Sequence, residues 1–217
     1  DVWYNAGTAP FPFAPITGVQ IPYGIAAPFS LTKVGPAITW LTHNQNGQGQ
    51  VVEALGYAPT VVSTEPIEYA LSTYTRIDDA VGWSYQDQGH EFYVLNFPTA
   101  NKTWCYDQTE GMWHERGTWD EDNGEFDVWG PQYHALVFNR HLVLHAGNGT
   151  IYRMAHDLYT DTDGEGLRRL RVPPILSAEQ KRVFVDRLQL HVEAGRGERW
   201  RDRILRDVRL LAVPGHG

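Results

Sequence analysis

The sequence predicts a mainly all-β fold built from β-propeller-like four-stranded blades, with one short helix and a divergent C-terminal segment. The 217 residues include 8 Trp, 11 Tyr and 8 Phe together with 21 Gly and 13 Pro. These residue types suit half-buried pleated surfaces joined by tight turns. Predicted inner strands centre on Trp40, Trp83 and Val137, 43 and 54 residues apart, close to the repeat of about 40–50 residues of propeller blades.

Residues 1–30 are predicted to form an extended segment. They are rich in Pro and aromatic residues and carry a single charge, at Asp1. Because proline removes backbone donors from a sheet, we expect an edge segment or a strap across another surface. The chain begins at Asp1 without Met, and we expect a fragment or a processed product.

Residues 31–167 are predicted to form a propeller-type β domain in which three units of alternating strands recur. In the first unit the strands are Ala37–Thr42, Gln50–Leu55 and Thr60–Ser63. In the second they are Ala80–Tyr85, His90–Phe97, Lys102–Asp107 and the edge strand Met112–Arg116. In the third they are Ala135–Asn139, His141–His145 and Gly149–Met154.

A short helix is predicted between the first two units, from Thr64 to Leu71 and beyond. Thr64 can cap this helix, and Pro66 suits its first turn. The apolar side chains fall on one helical face over about three turns; they are Ile67, Ala70, Leu71 and Tyr74.

Residues 168–217 form a basic C-terminal segment on an otherwise acidic chain. Residues 1–167 hold 6 Lys/Arg and 20 Asp/Glu, a net charge of −14, whereas residues 168–217 hold 12 and 6, a net charge of +6. An acidic body repels nucleic acid unless it lets the polymer slide past, and a basic end can bind an acidic partner. Arg168, Arg169 and Arg171 are therefore candidate partner or DNA contacts; packing on a neighbouring subunit's acidic body is the alternative. Within the segment, Val183–Val192 alternates as a strand.

Metal-binding motifs are weak in this sequence. Cys105 is the single cysteine, which excludes an intrachain disulfide and a cysteine-rich zinc site. Asp161-x-Asp163-Gly164 lacks the further ligands of a calcium loop, and the acidic run Asp120–Glu125 lacks ligand spacing. Nine histidines form no paired motif, so we expect structural or surface histidines. No apolar run approaches the ~18 residues of a membrane-spanning helix.

Catalytic motifs are also missing, and we expect neither an enzyme nor a bound cofactor. No nucleophile elbow, phosphate-binding loop or dinucleotide motif occurs. Glu91, Asp107 and Glu115 lie on adjacent predicted strands and leave a glycosidase-type carboxylate pair open. The expected core or blade-packing residues are Trp40, Trp83, Trp104, Trp113 and Cys105.

An ordered series of short motifs resembles a known family, the tail hub proteins of short-tailed bacteriophages, also called packaged DNA stabilisation proteins. The stretch in which the resemblance is found, from Pro28 to Tyr159, is about 60% of the chain. The motifs are Ala27–Gly35, Asn44–Gly49, Ser63–Leu71, Arg76–Ala80, Gly89–Pro98, Thr103–Asp107 and Gly111–Arg116. Beyond Gly195 the sequence departs from the family pattern.

The resemblance implies a structural virion protein: a homohexameric β-propeller ring, or nozzle, in the phage tail. Such a ring would sit below the portal and its adaptor, continue the DNA channel, help retain the packaged genome until ejection, and carry the tail needle or tailspikes. Family members are about twice as long, which implies a C-terminal portion or a shortened relative here. The implied partners are further copies of the chain, portal and adaptor proteins, needle or tailspike proteins, and viral DNA, with no membrane.

Two other functions remain open at this point. A glycan-binding or glycan-hydrolysing propeller would need an aromatic pocket with convergent carboxylates. A DNA-binding module acting through residues 168–209 would be retained on DNA with a steep salt dependence. If the protein is a tail hub, the candidate subunit contacts are His114, Glu115 and Arg116. The alternative is that these residues lie on a solvated edge strand.

Overall fold

The computed structural model describes residues 2–161, 164 and 166–170. The chain divides into two compact units, Asp1–Arg169 and Leu170–Gly217, and every element below belongs to the first unit. The predicted strand Val183–Val192 and the candidate contact Arg171 lie outside the described residues.

The described residues fold mainly into antiparallel strands, with one α-helix. The strands are β1 (Trp3–Asn5), β2 (Phe13–Pro15), β3 (Thr32–Val34), β4 (Ala37–His43), β5 (Gly49–Leu55), β6 (Ala58–Val61), β7 (Val81–Asp87), β8 (His90–Phe97), β9 (Lys102–Asp107), β10 (Met112–Arg116), β11 (Thr118–Asp120), β12 (Glu125–Asp127), β13 (Pro131–Val137), β14 (Arg140–His145) and β15 (Ile151–Met154). The helix α1 spans Glu65–Thr73, and Pro28–Ser30 form a 3₁₀ turn.

Three sheets and two hairpins result from this strand order. The first sheet has the order β3-β4-β5-β6, the second β10-β9-β8-β7 and the third β13-β14-β15, while β1–β2 and β11–β12 are separate hairpins. The glycine of the β7–β8 turn, Gly89, adopts φ 85°, a conformation that side chains disfavour. The prediction of a mainly β fold with propeller-like four-stranded sheets and one short helix is confirmed.

The sheets pack face to face in chain order. The core between the first and second sheets includes Leu41 and Val51 from one side and Tyr93, Leu95 and Phe97 from the other. Helix α1 adds its buried face, Ile67 and Leu71, to the same core.

The core between the second and third sheets is built from other side chains. Trp83, Val94 and Cys105 of the second sheet meet Val143 of the third, with Tyr152 packed against them. This alternation follows from the period of two along a strand, which sends neighbouring residues to opposite faces. Both faces of the second sheet are therefore buried.

The other face of the first sheet is covered by the chain's own N-terminal segment. Ile21 and Tyr23 pack on Trp40, Val52 and Ala54. The Trp40 indole N–H donates to the carbonyl of residue 24 at 2.9 Å. This segment closes the first end of the stack of sheets.

Helix α1 is slightly shorter than predicted, and its cap works differently. Thr64 occupies the N-cap position, but its side chain makes no capping hydrogen bond. Its carbonyl accepts from the Glu68 N–H at 2.9 Å. The Glu68 carboxylate in turn accepts from Ser63 Oγ at 2.9 Å and from the Gln50 side-chain amide at 2.8 Å, which ties the helix to β5.

Several predicted strand boundaries are wrong. The strand predicted at Thr60–Ser63 is β6 and begins at Ala58, so it includes Pro59; this is tolerated because β6 is the edge of its sheet. The strand predicted at Ala135–Asn139 is β13, which ends at Val137 because Phe138 and Asn139 form the next turn with φ of 51° and 58°.

The acidic run Asp120–Glu125 is an exposed turn that joins two short paired strands. Asp120 and Glu125 are paired residues at the ends of β11 and β12. The Asp120 carboxylate accepts from the backbone N–H of Asp122 at 2.8 Å. The run is therefore the tip of a hairpin. Within the described part of the chain, no helix is long and apolar enough to cross a membrane.

Candidate functional site

Arg116 occupies an aromatic cage between the second and third sheets. It ends β10, on the face of the second sheet that also presents Cys105. Its guanidinium carbon lies 5.4 Å from the ring centre of Tyr85, 5.2 Å from Phe92 and 5.3 Å from Trp129. Ring faces attract a cation at such distances. The cage holds the guanidinium inside the stack.

Burial in this cage shifts the pKa values of its neighbours. Arg116 Nε donates to His114 Nε2 at 3.0 Å, so this imidazole nitrogen is unprotonated. Burial lowers the pKa of His114, and the Arg116 charge lowers it further, to about 4. Burial raises the pKa of Tyr85 to about 12 and that of the Cys105 thiol to about 11. The cage therefore holds one fixed positive charge among neutral groups.

A pair of histidines continues this interface towards the third sheet. His134 of β13 and His141 of β14 stack with ring centres 5.1 Å apart, and Nε2 of His134 lies 2.9 Å from Nδ1 of His141. Trp83 stacks on His134 at 6.1 Å. Burial, with the adjacent His141, lowers the pKa of His134. No sequence motif indicates this pair, because His134 and His141 meet only through the pairing of β13 with β14.

Metal ligation finds no support in the histidines that face acids. His90 Nδ1 lies 2.8 Å from an Asp107 carboxylate oxygen, and His156 Nε2 lies 2.7 Å from Asp87. Each is an isolated two-residue contact. Among residues 2–161, 164 and 166–170, no group of three or more His, Cys, Asp or Glu side chains could hold a metal ion.

The three candidate subunit contacts on β10 all contact their own chain. Strand alternation directs His114 and Arg116 to the cage and Glu115 to the opposite face. Glu115 forms an ion pair with Lys102 Nζ at 3.1 Å. His114 and Glu115 are exposed, whereas Arg116 is only partly accessible. Their role in subunit contact stays a prediction.

Of the candidate contacts in the basic segment, Arg168 packs on its own chain and Arg169 is exposed. Arg168 lies over the Trp119 ring, 3.6 Å from the ring centre, and so packs on the β11–β12 hairpin. Arg169 is exposed to solvent. These positions leave contact with DNA or a partner as a prediction.

The three carboxylates considered for glycan hydrolysis do not converge. Asp107 pairs with Phe92 across β8 and β9, so it shares a face with Phe92 and not with Glu91. Glu115 shares the face of Glu91, but it lies level with Leu95, four residues along β8, a separation of about 13 Å. Glycosidase pairs are about 5–9.5 Å apart.

One face of the third sheet is apolar and open. Tyr133, Leu144 and Ile151 are in register across the three strands, and each is exposed, Tyr133 by 52% and Ile151 by 66%. We call this surface the open face. The sequence signal for this face is the run of successive apolar residues Leu142–Leu144. Such a run makes both faces of a strand apolar, which is typical of strands that are covered on both sides.

A second exposed apolar surface lies on the β1–β2 hairpin. Trp3, Tyr4, Phe11 and Phe13 are each about half exposed or more. Their ring contacts run within the hairpin, from Trp3 to Phe11 at 6.1 Å and from Phe11 to Phe13 at 5.8 Å. We call this surface the aromatic hairpin.

Antiparallel sheets stacked face to face in chain order define the chain as a β-propeller protein. The family model described as "Bacteriophage P22 Gp10, beta-propeller" matches residues 1–156. The chain therefore belongs to this family of phage stabilisation proteins, which are structural components of the bacteriophage virion tail. No curated protein sequence matches the chain significantly.

Proposed function

We propose that the chain assembles into a homohexameric ring, the hub of a phage tail below the portal and adaptor. The ring continues the DNA channel, helps retain the packaged genome before ejection, and carries a needle or tailspikes. The observation that carries this proposal is the stack of three sheets. All of the residues that form it, up to Met154, lie within residues 1–156, which the phage family model matches. One end of this stack is closed by the segment of Ile21 and Tyr23, and the other is the open face.

Charge supports a conduit that does not grip DNA. Residues 1–167 carry a net charge of −14. An acidic wall repels phosphates and lets the duplex move, whereas many Lys and Arg contacts would hold it in a salt-dependent complex. The one interior guanidinium described above, Arg116, is enclosed by aromatic rings and does not offer a row of phosphate contacts.

The oligomeric state tests the ring directly. Sedimentation and mass photometry of the full chain should give a species six times the 24.6 kDa of one chain, and negative-stain images should show a ring with a central channel. If assembly needs a partner, the same species should form on the portal–adaptor complex of the same phage. A monomer under both conditions would contradict the proposal.

DNA retention tests the conduit separately from the ring. The assembled protein should pass through a column of immobilised duplex DNA without being retained at about 150 mM salt. An acidic surface makes no phosphate contacts and therefore gains no free energy from the release of counterions. Tight binding with a steep salt dependence would instead support the DNA-binding module of residues 168–209. That result would not contradict the proposed ring, but it would contradict the proposal that DNA slides past an acidic channel wall.

A further inference from the structure

The two ends of the stack of sheets differ, because one is covered and the other is not. Each internal face of a sheet is covered by the next sheet along the chain. The outer face of the first sheet is covered by Ile21 and Tyr23. The open face of the third sheet, with Tyr133, Leu144 and Ile151, is uncovered in the described part of the chain. An antiparallel sheet with a solvated face normally carries polar residues there.

The aromatic hairpin matches the open face in chemistry. Residues 2–30 carry no charged side chain, so the hairpin meets an apolar surface without leaving a buried charge unpaired. Exposed Arg140 and Arg153 lie on the open face beside the apolar row, and Arg153 forms an ion pair with Asp157 at 3.0 Å. Guanidinium groups at such a border suit the faces of incoming aromatic rings.

The connection between the hairpin and the strap favours a contact between copies. Only four residues lie between Ile16, at the end of the hairpin, and Ile21, and the five steps reach about 18 Å at most. Ile21 lies on the outer face of the first sheet. The open face lies beyond two further sheet layers, each about 10 Å thick. A hairpin held at the first end of the stack therefore fits the open end of another copy.

We infer that the open face of β13–β15 binds the aromatic hairpin of a second copy of this chain, in a head-to-tail contact. Such a heterologous contact leaves one hairpin and one open face free on every pair, so it repeats until a ring closes. The inference rests on the proposed ring and names the surfaces that form it. Trp3 and Phe13 share one face of the hairpin and Phe11 contacts both, whereas Tyr4 lies on the other face. These three half-exposed side chains supply roughly 300 Å², less than half of what one partner buries in a standard interface, so ring closure adds stability to each contact.

Matched substitutions test the two surfaces separately. Ile151→Lys places a charge on the open face, and Leu136→Lys is its control, since Leu136 is 60% exposed on the opposite face of the same sheet. Phe11→Ser disrupts the aromatic hairpin, and Phe29→Ser, at an exposed aromatic residue outside it, is its control. Each test variant should weaken assembly roughly tenfold or more, and each control should assemble like the unaltered chain. Far-UV circular dichroism verifies that all four variants fold.

Mixing the two test variants gives the decisive result. Ile151→Lys keeps an intact hairpin and Phe11→Ser keeps an intact open face, so the mixture should form a heterodimer with one intact contact and no ring. If either test variant assembles normally, or if the mixture associates no more than either variant does alone, the contact is overturned. A normal ring from both test variants would overturn the contact and leave the proposed ring standing, whereas a monomeric unaltered chain would end both.

Cross-linking provides a readout that does not depend on the assembly yield. Cys105 is fully buried, so a chain with Phe11→Cys and Ile151→Cys offers only the two introduced thiols to a short bismaleimide. The expected products are cross-linked chains in a ladder of increasing mass, which neither single variant forms. A cross-link confined to one chain would overturn the inference.

Discussion

Asn96 fastens the second sheet to the chain that enters the third, and its substitution is the sharpest test of the stack. The side chain is fully buried. Its oxygen accepts from the Trp83 indole N–H at 3.0 Å. Its amide nitrogen donates to Thr103 Oγ1 at 3.1 Å and to the carbonyls of Trp129 and Pro131 at 2.8 and 3.1 Å. One amide therefore serves four partners.

Asn96→Ala removes all four hydrogen bonds and leaves buried polar groups without partners. An unsatisfied buried group costs about 1–3 kcal/mol, and part of the set can bond elsewhere. We expect the free energy of unfolding to fall by about 3–5 kcal/mol, or by about 10 °C in Tm for a chain of this size. Urea titrations followed by circular dichroism measure the loss. Asn46→Ala, at an exposed asparagine, should change it by less than about 0.5 kcal/mol.

Asn96→Asp separates the hydrogen bonds from the packing. It keeps the shape and the acceptor for Trp83 but replaces the donor with a second oxygen that faces two carbonyls. We expect a loss as large as that of Asn96→Ala at pH 8, and a smaller difference from the unaltered chain at pH 5, where the protonated carboxyl supplies a donor. If both variants match the Asn46→Ala control, the reasoning about the interface is wrong.

Two further predictions concern the same stack. A Cβ at Gly82 would lie 2.2 Å from the backbone oxygen of Ser30, so Gly82→Ala should destabilise the chain by about 1–3 kcal/mol in urea titrations; Gly24→Ala, with open space around its Cβ, should not. The pKa of His114 is about 4 in the folded chain, below its ordinary value of about 6.5. As the pH falls, His114 is therefore protonated in the unfolded chain before it is protonated in the folded chain. Stability should be complete above about pH 6.5 and fall towards pH 4, by about 1 kcal/mol because the exposed ring is screened. His114→Gln should remove this part of the pH dependence, and an unchanged pH profile would contradict it.

Two central strands of the second sheet were predictable because local signals define both ends, whereas β7 was predicted at Ala80–Tyr85 and spans Val81–Asp87. His90–Phe97 and Lys102–Asp107 match β8 and β9 at each terminus. A turn at residues 88–89 precedes β8, and Gln88 and Gly89 adopt the positive φ that such turns need. Alternating large side chains then fix the faces.

The short hairpins and the aromatic cage were not predictable by the same means. Strands β1, β2, β11 and β12 have three residues each, too few to show alternation, and their pairing is a tertiary result. The rings around Arg116 come from three separate parts of the sequence, Tyr85, Phe92 and Trp129. No local pattern links them, because strand register and sheet packing bring them together.

The second sheet anchors both of its neighbours through buried and partly buried side chains that donate to backbone carbonyls. Towards the first sheet, Tyr93 donates to the carbonyl of Ser30 at 2.8 Å and Trp113 to that of Val62 at 2.8 Å. Towards the third sheet, Asn96 donates to the carbonyl of Trp129. Such bonds fix the position of a neighbouring backbone, and in a low-dielectric interior they resist sliding more than apolar contact alone does. Hydrogen bonds of this kind on both faces of the second sheet favour a stack that moves as one unit, which suits the proposed ring because the contacts between copies then join rigid parts.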